Sequence, residues 1–114
     1  MKSYTDIEQS KVLAKILPIE SADMFFSGYT YPKERHLPTF SITSITIKDN
    51  IPCWSLAALL EELNRNCWKV SLKCCDAEWE ITYDDGERYI SVSADYAIDA
   101  CYKMIIRLHE LKML

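Results

Sequence analysis

The sequence predicts an α+β fold, an antiparallel meander of three to four strands packed on one face by three helices. Apolar residues recur at helical spacing in three separate segments, and between 68 and 92 they alternate with polar residues. Such alternation is typical of an antiparallel sheet with one face on the core and the other in water. With 114 residues, 49% of them hydrophobic, the chain fits one globular domain over residues 1–114.

The first helix is predicted over residues 6–17. Its apolar residues have helical spacing, and Pro18 prevents its continuation. Thr5 followed by Glu8 is the pattern of a capping box, in which each side chain bonds a backbone N–H at the start of the helix. After the proline, residues 20–24 fit one further helical turn.

The middle of the chain has the least regular pattern. Residues 27–39 contain one glycine and two prolines and are predicted to form a long, variable surface loop. Residues 40–48 are rich in β-branched side chains and alternate, which predicts a fourth strand. The alternation changes phase at Thr43, which indicates a bulge and hence a position at the edge of the sheet.

The second helix is predicted from Leu56 to residues 64–66. Ser55 is the expected N-cap, and Trp54 before it is placed to pack on Leu59 as a hydrophobic staple. The apolar stripe of this helix consists of Leu56, Leu59, Leu60 and Leu63.

Three strands are predicted over 68–75, 78–83 and 87–92. Residues 85–86, Asp-Gly, favour a two-residue turn that places Ile81 opposite Ile90. Residues 76–77 are the expected turn of the other hairpin, with a longer loop as the alternative because alanine suits such turns poorly. That hairpin would pair Leu72 with Ile81 and Lys73 with Glu80.

The last helix is predicted from Asp95 to Lys112, with Ser93 as its N-cap. Asp99 suits the positive N-terminal end of the helix dipole, and His109 suits its negative end. Its core-facing stripe consists of Ala97, Cys101, Met104, Leu108 and Leu111.

Charge and hydropathy exclude several classes of protein. The 13 basic and 17 acidic residues give a net charge of −4, which argues against nucleic acid as the partner. Apolar runs are too short for a membrane helix, and the N-terminal residues lack the pattern of a signal peptide, so we expect a cytoplasmic protein. The five cysteines are expected to be reduced thiols that fill the core.

Motifs that carry chemistry are sparse. Cys-x-x-Cys spacing and paired histidines are missing from the sequence, so we predict no metal site, and two glycines are too few for a phosphate-binding loop, so we predict no cofactor. His36 with Glu34 is the one plausible acid–base pair. A small enzyme built on these two residues is therefore an alternative hypothesis.

The predicted binding site lies in the 27–39 loop. It combines aromatic and basic side chains, which often anchor protein interfaces. A protein partner of unknown identity is the expected ligand, and the alternative is that the tyrosines pack the loop onto the core. The site residues are Tyr29, Tyr31, Lys33, Arg35 and His36.

Three segments, 17–24 (LPIESADM), 52–60 (PCWSLAALL) and 99–105 (DACYKMI), resemble small proteins that recur in phage and prophage gene sets. The resemblance implies an accessory protein of a phage-like or mobile element, and it implies no activity and no site residue. The leading hypothesis is therefore a non-catalytic interaction or regulatory protein. A self-associating structural module, such as a homodimer formed through an edge strand or a helix face, is a further alternative.

Overall fold

A computed structural model describes residues 3–27, 32–34, 50–66 and 69–114. Within these ranges the chain forms three α-helices and two antiparallel sheets, which confirms the predicted α+β class. The first half contains α1 (Ile7–Leu13), a 3-10 turn (Ile19–Ser21), β1 (Met24–Ser27), β2 (Pro32–Glu34) and β3 (Asn50–Cys53). The second half contains α2 (Leu56–Asn66), β4 (Val70–Cys75), β5 (Glu78–Asp84), β6 (Tyr89–Ala94) and α3 (Ala97–Glu110).

The meander has the strand order β4-β5-β6. Ile81 and Tyr83, on its inner face, are buried and belong to the main core. Helix α3 lies against β5 and β6, and α2 packs on α3. The outer face is solvated, since Tyr89 is 67% exposed there. The C-terminal helix α3 therefore packs on the inner face of β5 and β6.

The hairpin between β4 and β5 has the predicted register. Leu72 pairs with Ile81, and on the outer face the Lys73 Nζ lies 3.5 Å from the Glu80 Oε1. Residues 76–77 form the turn, with φ of 48° at Asp76 and 67° at Ala77. These two positive φ angles are those of a type I′ turn, so the shorter of the two expected loops is present despite the alanine.

The hairpin between β5 and β6 corrects the predicted register. Ile81 pairs with Val92 rather than with Ile90, so every residue of β6 is displaced by two positions. The cause is Asp85, whose Oδ1 accepts the N–H of Glu87 at 2.9 Å and the N–H of Arg88 at 2.7 Å. Asp85 therefore pairs with Arg88 in the ladder. The two-residue turn lies at residues 86–87 instead of the predicted 85–86. A shift of two residues keeps each side chain on its predicted face.

A second sheet, with the order β2-β1-β3, corrects the picture of the middle segment. Residues 32–34 belong to a strand and not to a continuous 27–39 loop, and Pro32 is tolerated because β2 is an edge strand. Residues 24–27 are a strand as well, so the expected helical turn over 20–24 is limited to a 3-10 turn at 19–21. The strand predicted over 40–48 lies outside the described residues.

The N-terminus of α1 lies one residue later than predicted. Asp6, not Thr5, is the N-cap: its Oδ1 accepts the N–H of Gln9 at 2.8 Å, and the Asp6 N–H donates to the Gln9 Oε1 at 3.1 Å. The Thr5 side chain does not cap the helix, because its hydroxyl is hydrogen-bonded to the Ser10 Oγ at 2.8 Å. Past Leu13 the chain continues in irregular turns up to Leu17.

The other two helix starts differ in how well the sequence predicts them. The Ala58 N–H donates to the Ser55 Oγ at 3.2 Å, which confirms Ser55 as the cap of α2. Helix α3 begins at Ala97 rather than at Asp95, and its N-cap Tyr96 makes no side-chain cap bond. Ser93 cannot cap it because Ser93 belongs to β6. Helix α3 ends at Glu110, two residues before the predicted Lys112.

Trp54 joins the N-terminal segment, the 3-10 turn and the start of α2. Its side chain is fully buried, and its indole N–H donates to the Ser21 Oγ at 2.9 Å. Its backbone N–H donates to the Thr5 Oγ1 at 3.2 Å, and its carbonyl accepts the Thr5 N–H at 3.0 Å. Asp23 accepts the N–H and the hydroxyl of the next residue, Ser55. Three segments of the chain are therefore held together at this one residue.

We expect the substitution Ala77→Gly to stabilise the protein by about 1 kcal/mol, because glycine adopts the positive φ of this turn without the steric cost of a Cβ atom. Thermal or urea unfolding measures the effect. The control is Ala94→Gly in β6, which should lower stability since glycine weakens a strand. Destabilisation by Ala77→Gly would contradict the type I′ turn.

Asp85 is expected to titrate abnormally. Its bonds from the Arg88 and Glu87 N–H groups and from the Tyr83 hydroxyl lower its pKa from 3.8 to about 2. A lowered folded-state pKa stabilises the fold above pH 4 and loses that contribution as the pH falls from about 4 to 2. NMR titration of the Asp85 carboxyl should give this midpoint, and Asp85→Asn should remove the corresponding stability change. A normal midpoint would show that the Asp85 bonds do not form in solution.

Candidate functional site

The candidate site begins at one side of strand β6. Strand β5 pairs with the other side, and in the described part of the chain nothing pairs with this one, which we call the open side. The Asp85 N–H donates to the Arg88 carbonyl, which fixes the alternation of the ladder. Backbone groups of Ile90, Val92 and Ala94 therefore point to β5. The open side presents the N–H and C=O groups of Tyr89, Ser91 and Ser93.

Few features protect the open side from pairing. Edge strands in soluble proteins usually carry charges or prolines that prevent association. The opposite edge of the meander, β4, carries Lys73, whereas β6 contains no charged residue and no proline. The nearest protection comes from α3, where the Lys103 Nζ donates to the Ser93 carbonyl at 3.0 Å. One of the three outward carbonyls is thus capped by a side chain.

A groove runs between the open side of β6 and α3. It has a volume of about 250 Å³, and its apolar surface comes mainly from Val92, Tyr102 and Ile106. A strand laid along β6 would place every second side chain over this groove, because strand side chains alternate between the two faces. The remaining lining residues are Lys103, Arg107 and Glu110.

An acidic cleft adjoins the groove at the C-terminal end of β6. It has a volume of about 510 Å³ and shares Tyr102 and Lys103 with the groove, so the two cavities lie side by side. Burial, and then the negative charge of Asp6, raise the pKa of the Tyr102 hydroxyl. The carboxylates of the cleft are Asp6, Glu78, Asp95 and Asp99, and its other lining residues include Gln9, Ser93, Ala94 and Tyr96.

The side chains of the acidic cleft are partly ordered by their neighbours. The Gln9 Nε2 donates to the Asp99 Oδ1 at 2.8 Å, which ties the start of α1 to the start of α3. Lys103 is the basic residue of the cleft, and its ammonium group is turned toward the Ser93 carbonyl. Four carboxylates against one ammonium leave the cleft negative, so it attracts positively charged groups.

The cysteines differ from the expectation that all are core residues. Cys53 and Cys101 are buried, and burial raises both thiol pKa values, that of Cys101 to about 12. A protonated thiol is a poor nucleophile, so these two act as small apolar residues. Cys74 and Cys75 are exposed instead, at the end of β4, and Cys75 lies on the same outer face as Lys73. Cys67 lies outside the described residues.

Metal-binding geometry is not found in the described ranges. No three His, Cys, Asp or Glu side chains there, those of the acidic cleft included, are arranged so that they could hold a metal ion. His109 is exposed, near the end of α3, and its Nδ1 lies 3.1 Å from the Leu114 carbonyl oxygen. None of the helices in this part of the chain is long and apolar enough to span a bilayer.

The predicted loop site falls mostly outside the described residues. Of its five members only Lys33 is placed, within β2 and opposite Phe25, and Glu34 follows it in the same strand. The binding surface proposed for this loop therefore stays a prediction. Its other members, Tyr29, Tyr31, Arg35 and His36, lie outside the described ranges.

The groove and the open side are features that sequence patterns do not predict. The order of strands in a meander leaves β4 and β6 as edges, but which edge is exposed depends on where α3 packs. The sequence predicts the strand over 87–92, which includes the charged residues Glu87 and Arg88, whereas the observed strand covers 89–94 and has no charge. The missed register therefore also conceals the uncharged edge.

Comparison with known proteins provides no assignment for this surface. No family model, curated protein or solved structure matches the chain. The geometry of the strand edge, the groove and the cleft is therefore the basis on which a function is proposed.

We expect the amide hydrogens of β6 to exchange with solvent in alternation. In dilute protein, the Ser91 and Ser93 amides should exchange faster than those of Val92 and Ala94, since only the latter two are bonded to β5. Hydrogen–deuterium exchange read by NMR measures this difference. Equal protection of all four amides in dilute solution would mean that another strand covers the open side.

Proposed function

We propose that the protein is a non-catalytic interaction protein that binds its partner by strand addition along the open side of β6. The observation that carries this proposal is the combination of an uncharged strand edge, which no strand of the described residues pairs with, and an apolar groove beside it. In strand addition, backbone hydrogen bonds supply affinity, and pockets for alternate side chains supply specificity. Both elements are present along β6.

The edge rests on a rigid support. Strand β6 is paired along its full length with β5, and α3 covers both strands with the buried residues Met104, Ile105 and Leu108. A partner strand therefore meets a preformed surface, and little ordering is needed on this side of the interface.

The biological setting is part of the proposal. The resemblance of segments 17–24, 52–60 and 99–105 to phage and prophage proteins supports an accessory role in a phage-like or mobile element, acting in the cytoplasm. The 27–39 loop is proposed as a second contact surface on the strength of its aromatic and basic residues. The enzyme alternative, based on His36 and Glu34, gains no support from the described residues.

The substitution Ser91→Pro tests the role of the open side. Proline removes the outward N–H of Ser91, which is not used in the ladder with β5, so we expect the fold to tolerate it. A partner strand would lose one hydrogen bond and would clash with the proline ring. We expect tagged Ser91→Pro protein to lose the partner, a second copy of this chain included, that the wild type captures from a lysate of its own host. Mass spectrometry identifies and quantifies the captured protein.

The matched control is Ser91→Ala, which changes the exposed side chain and leaves the backbone donor in place. It should capture the partner as well as the wild type does, and both variants should retain the melting temperature within a few degrees. A partner retained by Ser91→Pro but lost in the Tyr29→Ala, Tyr31→Ala double variant would move the binding surface to the 27–39 loop and overturn strand addition.

A further inference from the structure

Resting on the proposed function, we infer that the partner strand is β6 of a second copy of this chain. The two β6 strands would pair antiparallel about a two-fold axis at Ser91, and Arg88 of each copy would enter the acidic cleft of the other. The joined meanders would form one six-stranded sheet. Each copy then contributes a residue to a site that its partner completes.

The hydrogen-bonding pattern permits this pairing. Only Tyr89, Ser91 and Ser93 present backbone groups on the open side, so an antiparallel pair must match odd-numbered residues with odd-numbered residues. A two-fold axis at Ser91 satisfies this condition, with Ser91 opposite Ser91 and Tyr89 opposite Ser93. The Lys103 ammonium must leave the Ser93 carbonyl to make room for the partner's Tyr89 N–H.

The side chains on the inner face match as well. In this register Ile90 of one copy lies opposite Val92 of the other, over the groove, so apolar groups meet apolar groups. Arg88 continues the same face by alternation and lies opposite Ala94, a residue of the acidic cleft. In this register, Arg88 of one copy would therefore lie beside the acidic cleft of the other copy and could bind its carboxylates.

The charges favour this occupant. Arg88 is exposed and the cleft contains four carboxylates, so the pairing brings opposite charges together at both ends of the interface. The chain has a net charge of −4, so two copies repel each other, and a short-range contact of Arg88 with the carboxylates would offset part of this repulsion. Arg88 thus selects this register over a slipped one.

The helices fit the same arrangement. Because α3 lies over β5 and β6 together, and strands are spaced about 4.8 Å apart, the two α3 helices would be separated by roughly 10 Å. Packed helices are about 8–10 Å apart. Tyr102 and Ile106 of each copy would then fill the groove from both sides, which closes it without a further partner.

The first experiment measures the association of the purified protein by sedimentation velocity over a concentration series. We expect a reversible dimer whose dissociation constant rises at least tenfold in Ser91→Pro and is unchanged in Ser91→Ala. A monomer up to sub-millimolar concentration overturns the inference. A dimer that Ser91→Pro leaves intact overturns it too, since the contact would lie elsewhere.

The second experiment tests the charge contact by complementation. Arg88→Glu and Asp95→Lys should each weaken self-association about tenfold at low ionic strength, because each places like charges at both ends of the interface. An equimolar mixture of the two variants should dimerise nearly as tightly as the wild type, since every contact again joins opposite charges. A mixture that stays as weak as its components overturns the Arg88 contact.

The two proposals fail separately. If the protein is monomeric but Ser91→Pro still abolishes capture of a different host protein, strand addition stands and the second-copy inference falls. If the wild type neither dimerises nor captures a protein that Ser91→Pro loses, the proposed function falls as well. Arg88→Gln serves as the neutral control, with a smaller loss of affinity than Arg88→Glu.

Discussion

The burial of Trp54 is the constraint on which much of this structure depends. Its backbone is bonded to Thr5 in both directions, its indole reaches Ser21, and the chain turns directly into α2 after it. The N-terminal segment, the 3-10 turn and the second helix are thereby held at fixed positions around one side chain. Since Thr5, Ser10 and Cys53 pack beside this residue without solvent exposure, the polar groups there must bond one another.

The bonds around Trp54 also affect the cleft beside β6. They hold the start of α1 in place, where Asp6 caps the helix and the Gln9 side chain donates a hydrogen bond to Asp99 on α3. Helix α3 is in turn held on the meander by its buried stripe. The cleft between α1, β6 and α3 thus exists because elements far apart in sequence are tied together, and the proposed docking surface inherits its shape from the core.

The sequence predicts those features that arise from local periodicity and fails where side chains compete for the backbone. The class, the strands of the meander and the cap of α2 follow from alternation and from one serine. The β5–β6 register is predicted wrongly because the side chain of Asp85 accepts two backbone N–H groups. The Asp-Gly sequence favours a turn at residues 85–86, and this local preference does not show that Asp85 makes these bonds. The cap of α1 is missed because Thr5 is bonded to Ser10 instead. The groove is missed because it depends on where α3 lies, which no local pattern encodes.

If the protein binds by strand addition as proposed, the bond between Lys103 and the Ser93 carbonyl would make β6 selective for the strands that pair with it. A chance encounter that forms a single backbone bond must displace an ammonium group and gains little in exchange. A strand that matches the edge over its length forms several bonds at once, and the loss of one lysine contact is then a small part of the total. In the proposed interface this lysine would oppose indiscriminate aggregation and still let a complementary strand bind, a role that charges or prolines within the strand have in other edge strands.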